Sequence, residues 1–146
     1  MQGWVVKKLS QTGRVVLIKS VLQALPTFVM TCFRLPDTLI REIEGMFANF
    51  FWSSGQEAKI HWIAWRKMCK TKALGGMGFR RLKELNEALL AKQAWRVAMN
   101  PDTLLYRVLQ HKYFPNSSFC NANFGAAPSF TWRSLLRSRD LLVACL

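Results

Sequence analysis

Acidic residues are scarce in this sequence. Its 146 residues include 8 Asp and Glu against 21 Lys and Arg, which gives a formal net charge of +13. The acidic residues are also scattered, and the chain contains no Asp-Asp or Asp-x-Asp pair. Polymerases, nucleases and most two-metal enzymes need clustered carboxylates to hold divalent cations. We therefore expect a chain that is not an enzyme and holds neither a metal ion nor a cofactor, with a nucleophilic site assembled from residues distant in sequence as the alternative.

The cysteines lack the spacing of a local metal site. They form no Cys-x-x-Cys motif and lie far apart, at Cys32, Cys69, Cys120 and Cys145. A zinc site would have to combine them with His61 or His111 through long-range contacts, without the local ligand pairs that such sites usually have. We predict reduced, mostly buried thiols in a reducing intracellular compartment, with disulfides or zinc as the alternatives.

No hydrophobic run has the length and freedom from charge that predict a membrane span. The most apolar stretch covers residues 15–33, but Lys19 and Pro26 interrupt it, whereas a spanning helix needs about 20 mostly apolar residues. We therefore expect a buried helix and no membrane association. No signal peptide is evident, but the segment before Asp37 is basic and free of acids, as mitochondrial presequences are. The nucleus, the cytoplasm and the mitochondrion all stay open as compartments.

Apolar residues are abundant despite the charge. Hydrophobic residues make up 51% of the chain and aromatic residues 12%. This composition excludes a disordered basic tail, which lacks the apolar material to fold. A large cationic excess repels itself in the compact state and is usually neutralised by a polyanion. Nucleic acid is therefore the first partner to consider.

Apolar residues recur at helical spacing in the first third of the chain. Ser10 can cap a helix that runs to Leu25 and is stopped by Pro26. The predicted buried side of this helix consists of Val15, Ile18, Val21, Leu22 and Leu25. Pro36 opens a second helix, whose apolar stripe consists of Leu39, Ile43, Met46, Phe47, Phe50 and Phe51. Polar residues 53–57 then form the best linker candidate in the sequence, so we predict two small helical subdomains, residues 1–54 and 55–146.

The remainder of the chain also predicts helices. Residues 60–69 fit either a short helix or a strand. Residues 82–99 form a helix whose predicted inward side consists of Leu85, Ala88, Leu89 and Trp95. Asn100 caps the next helix with Pro101 at its first position, and Ser129 caps the last. The predicted fold class is all-α.

Glycines cluster beside cations at residues 70–79. The segment has neither the Gly-x-x-x-x-Gly-Lys-Ser/Thr nor the Gly-x-Gly-x-x-Gly pattern of a phosphate-binding loop. A plain turn that requires positive φ or close backbone approach is the favoured interpretation of Gly75, Gly76 and Gly78. Contact between their amides and a nucleic-acid phosphate stays the alternative.

Cations and aromatic rings alternate over residues 61–83. Cationic side chains neutralise phosphates and exposed rings stack on bases, which is how single strands are held without sequence reading. The candidate phosphate contacts here are Arg66, Lys67, Lys70, Lys72, Arg80 and Arg81. Trp62 and Trp65 fit either a stacking surface or the core. A second cationic set, Arg133, Arg137 and Arg139, fits a solvated helix surface.

Long ordered strings of the chain resemble one family. From Trp4 through LSQTGRVVLIKSVLQALPTFVMTCFRLP the sequence resembles the segment that follows the polymerase palm in plant LINE-type (non-LTR) retrotransposon reverse transcriptases. The resemblance continues through FFWSS, KIHWIAWRKMCKTKALGGMGFRRLKELNEALLAKQAWR, PDTLLYRVLQHKYFP and PSFTWRSLLRSRDLL, and so covers nearly the whole chain. Small plant mitochondrial open reading frames are similar to pieces of the same region. Gln2 and Gly3 before Trp4 suggest a reading frame opened at an internal Met.

The resemblance implies a helical thumb, which grips template and primer, followed by a helical connector. It also implies that Arg14 and Lys19 lie near nucleic acid and that the three glycines belong to a connector turn. The aromatic-Ala-Asp-Asp metal motif of the polymerase and the downstream Cys/His cluster are both missing from this chain. We therefore expect a truncated, non-catalytic fragment of an RNA-directed DNA polymerase with nonspecific affinity for RNA or DNA, and a separate palm as a further candidate partner. A partly folded remnant without any ligand is the alternative.

Overall fold

The computed structural model describes residues 9–52 and 60–143. Within these ranges the chain forms helices, turns and loops and no β-strand, which confirms the all-α prediction. The helices are α1 (Gln11–Leu17), α2 (Thr27–Cys32), α3 (Asp37–Trp52), α4 (Trp65–Met68), α5 (Leu82–Met99), α6 (Leu104–Tyr113) and α7 (Phe130–Val143). A π-helical turn, Ile18–Leu22, continues α1, and short 3₁₀ turns occur at Lys72–Leu74 and Phe119–Asn121.

The chain divides into two compact units that do not follow the predicted division at residue 54. The first unit comprises residues 1–27 and 35–84, and the second comprises residues 28–34 and 85–146. Segments on both sides of the predicted linker therefore belong to the first unit. The linker itself, at residues 53–57, lies outside the described residues.

Aromatic and apolar side chains from distant segments form the core of the first unit. One cluster of this core consists of the buried residues Ile18, Phe51, Met68 and Phe79. Trp65 stacks on Phe79 with ring centroids 4.8 Å apart and an interplanar angle of 11°. Phe51 meets Phe79 edge to face at 6.0 Å. This packing explains why α3 and α4 belong to one unit although the linker separates them in sequence.

The π-helical turn changes which residues of the first helix are buried. Ser10 caps the helix as predicted, because its hydroxyl accepts a hydrogen bond from the amide of Gly13 at 3.2 Å. Gln23, whose amide donates to the carbonyl of Ile18 at 2.9 Å, is buried, whereas Val21 and Leu25 are exposed. The prediction that Val21 and Leu25 are buried was wrong, because a π turn adds a residue to the helical repeat and rotates the following side chains.

Helix α2 was not predicted, and it is fixed within the second unit by Asn86. The Nδ2 atom of this buried asparagine, on α5, donates to the carbonyls of Met30 at 2.7 Å and Phe33 at 2.9 Å. The amide of Arg34 in turn donates to the hydroxyl of Ser134 at 3.0 Å. These hydrogen bonds satisfy main-chain groups at the end of α2, which would otherwise be unpaired after the helix stops.

Trp132 on α7 is the centre of the second core. Its side chain is 0% exposed and stacks on Tyr113 at 4.6 Å with an interplanar angle of 3°. It also stacks on Phe114 at 5.6 Å and meets Phe119 at 6.0 Å. The indole nitrogen donates to the carbonyl of Asn123 at 3.3 Å, so the one polar atom of the ring is satisfied.

The faces and ends of the remaining helices differ in part from prediction. The buried residues of α5 are Leu82, Asn86, Leu90, Ala94 and Val97, whereas Trp95 and Ala88 are exposed. Apolar residues lie on every side of α5, so periodicity alone selected the wrong face. Helix α6 begins after Thr103, whose hydroxyl accepts from the amide of Tyr106 at 3.3 Å, and not after Asn100.

Candidate nucleic-acid interface

All eight candidate nucleic-acid-binding cations belong to the first unit. Arg14 lies on α1 and Lys19 on the π-helical turn that continues it. The other six lie on α4 or between α4 and α5, at Arg66, Lys67, Lys70, Lys72, Arg80 and Arg81. The structure gives the eight side chains different environments, so they do not form a single functional class.

Arg14 is buried. Its side chain is 3% exposed, and Nη1 donates to the carbonyl oxygen of Phe51 at 3.1 Å. That carbonyl lies in the last turn of α3, where main-chain acceptors lack intrahelical donors and a cation is favourable. Arg14 therefore joins α1 to the end of α3, and its buried side chain does not fit the position near nucleic acid that the resemblance implied.

Lys19 is exposed but committed to the glycine turn. Its Nζ atom donates to the carbonyl of Met77 at 2.6 Å and lies 5.7 Å from the centre of the Phe79 ring. A Cβ built at Gly78 would lie 3.6 Å from the same Nζ atom, which is an ordinary contact, so the positive φ of Gly78 and not this approach favours glycine there. The charge remains near the surface, but the ammonium group already has a main-chain acceptor.

Five of the predicted cations are exposed and unpaired. Within residues 9–52 and 60–143, no ion pair or side-chain hydrogen bond involves the side chains of Arg66, Lys67, Lys70, Lys72 or Arg80. Arg81 differs, because it forms an ion pair with Glu84. The five unpaired side chains can therefore contact an anion without first breaking an internal ion pair.

The sequence around these cations contains no compensating acid. Residues 58–83 include no Asp or Glu, although they include eight Lys and Arg. Within the first unit, Lys83 pairs with Asp37 at 3.0 Å, so acids from elsewhere neutralise only the end of this segment. In the described residues no acid forms an ion pair with a cation in the middle of the segment, so these cations are available to phosphates.

The glycine turn is closed by its own hydrogen bonds. The amides of Gly75, Gly76 and Gly78 donate to the carbonyls of Lys72 at 3.1 Å, Thr71 at 3.0 Å and Lys70 at 2.9 Å. Gly75 and Gly78 have φ values of 74° and 69°, in the region that favours glycine. Because these three amides have internal acceptors, the glycine turn positions Lys70 and Lys72, and the glycine amides themselves are not available to a phosphate.

A buried glutamine fixes the backbone at Arg80. The Nε2 atom of Gln23 donates to the carbonyl of Arg80 at 2.8 Å, and its Oε1 atom accepts from the Arg80 amide at 3.4 Å. The side-chain amide thus pairs with the extended backbone as a neighbouring strand would. Gln23 is a positioning residue that the sequence did not reveal, because nothing in its surroundings distinguishes it from a solvated helix residue.

The two tryptophans of the candidate interface have opposite roles. Trp65 belongs to the core through its stacking on Phe79, whereas Trp62 is 77% exposed. The indole nitrogens of Trp65 and Trp52 are buried and have no acceptor in the described part of the chain. Trp62 is therefore the aromatic ring available to a ligand here.

The cationic set of the second unit is partly occupied. Arg139 donates through Nη1 to the carbonyl of Ala122 at 2.6 Å, and Arg133 lies 5.7 Å from the Phe130 ring. Arg137 remains exposed. Arg133 and Arg139 therefore make contacts with α7 and the loop before it, and less of the charge of this set is available to a ligand.

Cys69 is the titratable group with the largest shift near the interface. Burial raises the pKa of its thiol to about 11, and the nearby carboxylate of Glu44 acts in the same direction. A thiol with this pKa is almost fully protonated at neutral pH. Cys69 is therefore a poor nucleophile, because only the thiolate reacts.

We expect Cys69 to alkylate far more slowly than Cys120, which is exposed. At pH 8 the thiolate fraction at a pKa of about 11 is roughly 100-fold below that at the ordinary value of 9.0. The rate at Cys69 should continue to rise up to about pH 11, as the thiol loses its proton. Iodoacetamide labelling followed by peptide mass spectrometry measures both rates, and equal rates at pH 8 would contradict the raised pKa of Cys69.

Other site classes find no support in the described residues. Among residues 9–52 and 60–143, no group of three or more His, Cys, Asp or Glu side chains is arranged to hold a metal ion. In the same ranges no helix combines the length and apolar character needed to cross a bilayer.

The chain is similar to proteins of Arabidopsis thaliana. It is 46% identical over 121 residues to "Uncharacterized mitochondrial protein AtMg00310", a match that covers 82% of this chain and 79% of that protein. It is 37% identical over 114 residues to "Putative ribonuclease H protein At1g65750", a match that covers 77% of this chain but 18% of that protein. No family model and no solved structure matches the chain. Because the first match combines high identity with most of the length of both proteins, the chain belongs to the family of this Arabidopsis mitochondrial protein.

Proposed function

We propose that the protein is a non-catalytic fragment of a retrotransposon reverse transcriptase that binds nucleic acid through its first unit, without sequence preference. Five exposed, unpaired cations in an acid-free segment carry the binding part of this proposal. The fragment part is supported by the match to 18% of a much longer relative whose name denotes a ribonuclease H. The resemblance of the strings around Arg14 and the glycine turn to the thumb and connector region supports the same assignment.

The proposed mechanism is electrostatic. Each phosphate that a Lys or Arg neutralises releases condensed counterions, and this release drives binding without reading the bases. Gln23 holds the backbone of Arg80, and the hydrogen-bonded glycine turn holds Lys70 and Lys72, so these cations are presented from fixed main-chain positions. A fixed presentation lowers the conformational entropy lost when the strand binds.

Binding is expected to weaken steeply with salt. For a single strand, log K falls by roughly 0.7 per tenfold increase in salt for each phosphate contacted. If four phosphates are contacted, raising the salt concentration from about 50 to 200 mM should weaken the affinity about 50-fold. Replacing Arg66, Lys67, Lys70 and Lys72 together with glutamine should remove up to about 2.8 from the slope of log K against log salt. Fluorescence anisotropy with a labelled oligonucleotide measures both quantities.

A control variant distinguishes the effect of the cations in this segment from the effect of the net charge of the chain. Glutamine at Lys92, Arg96, Arg107 and Lys112, all exposed in the second unit, gives the same net charge and should keep most of the slope. Absence of binding, or binding that does not respond to salt, would favour the ligand-free remnant.

The unmodified chain is also expected to extend no primer on a template with nucleotides and Mg²⁺, since it lacks the catalytic carboxylates of the family it resembles. Primer extension would refute the non-catalytic part.

A further inference from the structure

Trp62 is a large, exposed apolar side chain that precedes the candidate phosphate contacts Arg66 and Lys67 by a few residues in the sequence. It is 77% exposed, and its neighbours Ile60 and Ile63 are exposed as well. Of the other tryptophans in the described part of the chain, Trp132 is buried and Trp95 lies in the second unit. Three exposed large apolar side chains within four residues form the kind of patch that marks an interaction site.

The segment that carries Trp62 is anchored three residues later. Trp65 stacks on Phe79, and Met68, in the same short helix, is buried in the core. The amide of Met77 donates to the carbonyl of Met68 at 2.9 Å, which ties α4 to the glycine turn. The Trp62 ring is therefore attached to a packed part of the first unit.

The positive charges that follow Trp62 in the sequence indicate the chemistry of the partner that covers its ring. Arg66 and Lys67 are exposed, unpaired and only four and five residues further along the chain, and no acid occurs in residues 58–83. A partner that covers the ring must therefore offer both a flat apolar face and negative charge. A nucleotide of a single strand offers both, since its base has a π face and its phosphates are negative, whereas the bases of a duplex are already stacked on each other.

We propose that Trp62 stacks on an unpaired base of a single-stranded nucleic acid whose phosphates contact Arg66 and Lys67. This assignment rests on the proposed function and refines it, because it names the strand class and the side chain that recognises it. Base stacking tolerates every base, so the preference is for single strands and not for a sequence. A double strand would use the cations alone.

The test compares strand classes in the full chain. Affinities for a labelled single-stranded DNA of about 20 nucleotides and for the same sequence as a duplex are measured by anisotropy for the wild type, W62A, W62F and W95A. W62A should weaken single-strand binding about 5- to 150-fold and leave duplex binding unchanged. W62F should recover most of the loss because it keeps a ring, and W95A should match the wild type.

The possible results distinguish a failure of this inference from a failure of the proposed function. If the wild type binds neither strand class, the proposed function fails, and this refinement fails with it. If the wild type binds with the expected salt dependence but W62A binds single strands equally well, the proposed function survives and Trp62 serves another partner, such as a protein. An equal loss for single strand and duplex would also overturn the stacking assignment.

Discussion

Replacing Trp132 with alanine is expected to lower the free energy of unfolding of the second unit by about 3–5 kcal/mol. The ring is completely buried, stacks on Tyr113 and Phe114, and satisfies its indole nitrogen on Asn123. Its removal leaves a cavity between α6 and α7 and an unpaired carbonyl. The total free energy of unfolding of a small domain is about 5–15 kcal/mol, so this single change removes a large part of it.

Urea denaturation followed by circular dichroism measures this loss. The control is Trp95→Ala in the same unit, where the ring is 41% exposed and the expected cost is below about 1 kcal/mol. The near-ultraviolet spectrum of the wild type should show sharp tryptophan bands that Trp132→Ala reduces. A featureless wild-type spectrum, or equal stability of the two variants, would contradict the packed core and favour the partly folded remnant.

Gly76→Ala is expected to destabilise the first unit by about 3 kcal/mol. A Cβ atom at this position would overlap the carbonyl group of Lys70, which is main chain and has nowhere to move cheaply. The same carbonyl accepts the amide of Gly78, so the clash would also break a hydrogen bond that closes the turn. Because Lys70 and Lys72 are presented by this turn, single-strand affinity should fall as well.

Gly45→Ala is the matched control for Gly76→Ala. Gly45 lies inside α3, and a Cβ built on it meets no atom within 4 Å. This substitution should raise the free energy of unfolding by about 0.5–1 kcal/mol, because alanine loses less backbone entropy in a helix. Urea denaturation of both variants gives the comparison, and the prediction fails if the two glycines respond alike.

The helix starts that a side chain marks locally were predictable from sequence. Ser10 and Ser129 cap α1 and α7 through their hydroxyl groups, and Pro36 directly precedes α3. A cap acts within about three residues, so its signal is complete in the local sequence. The cap of α6, Thr103, could not be identified in this way, because Asn100 followed by Pro101 is an equally good capping signal three residues earlier.

The errors arose where long-range packing decides. The buried side chains of Gln23 and Asn86 both form hydrogen bonds with residues more than 50 positions away, Gln23 with Arg80 and Asn86 with Met30. No local pattern encodes such partners. Among the candidate contacts, the position of the cationic segment could be predicted from composition, but the burial of Arg14 could not, since an arginine near an apolar helix face is usually solvated.

The division of the chain into interleaved segments has a consequence for synthesis on the ribosome. Residues 28–34 are made before residue 84, yet their partners Asn86 and Ser134 emerge only after the first unit has all its segments. Vectorial synthesis therefore completes the first unit while Met30, fully buried at the end, still lacks its cover. During that interval the Met30 side chain stays uncovered, and slower translation after residue 84 would lengthen its exposure.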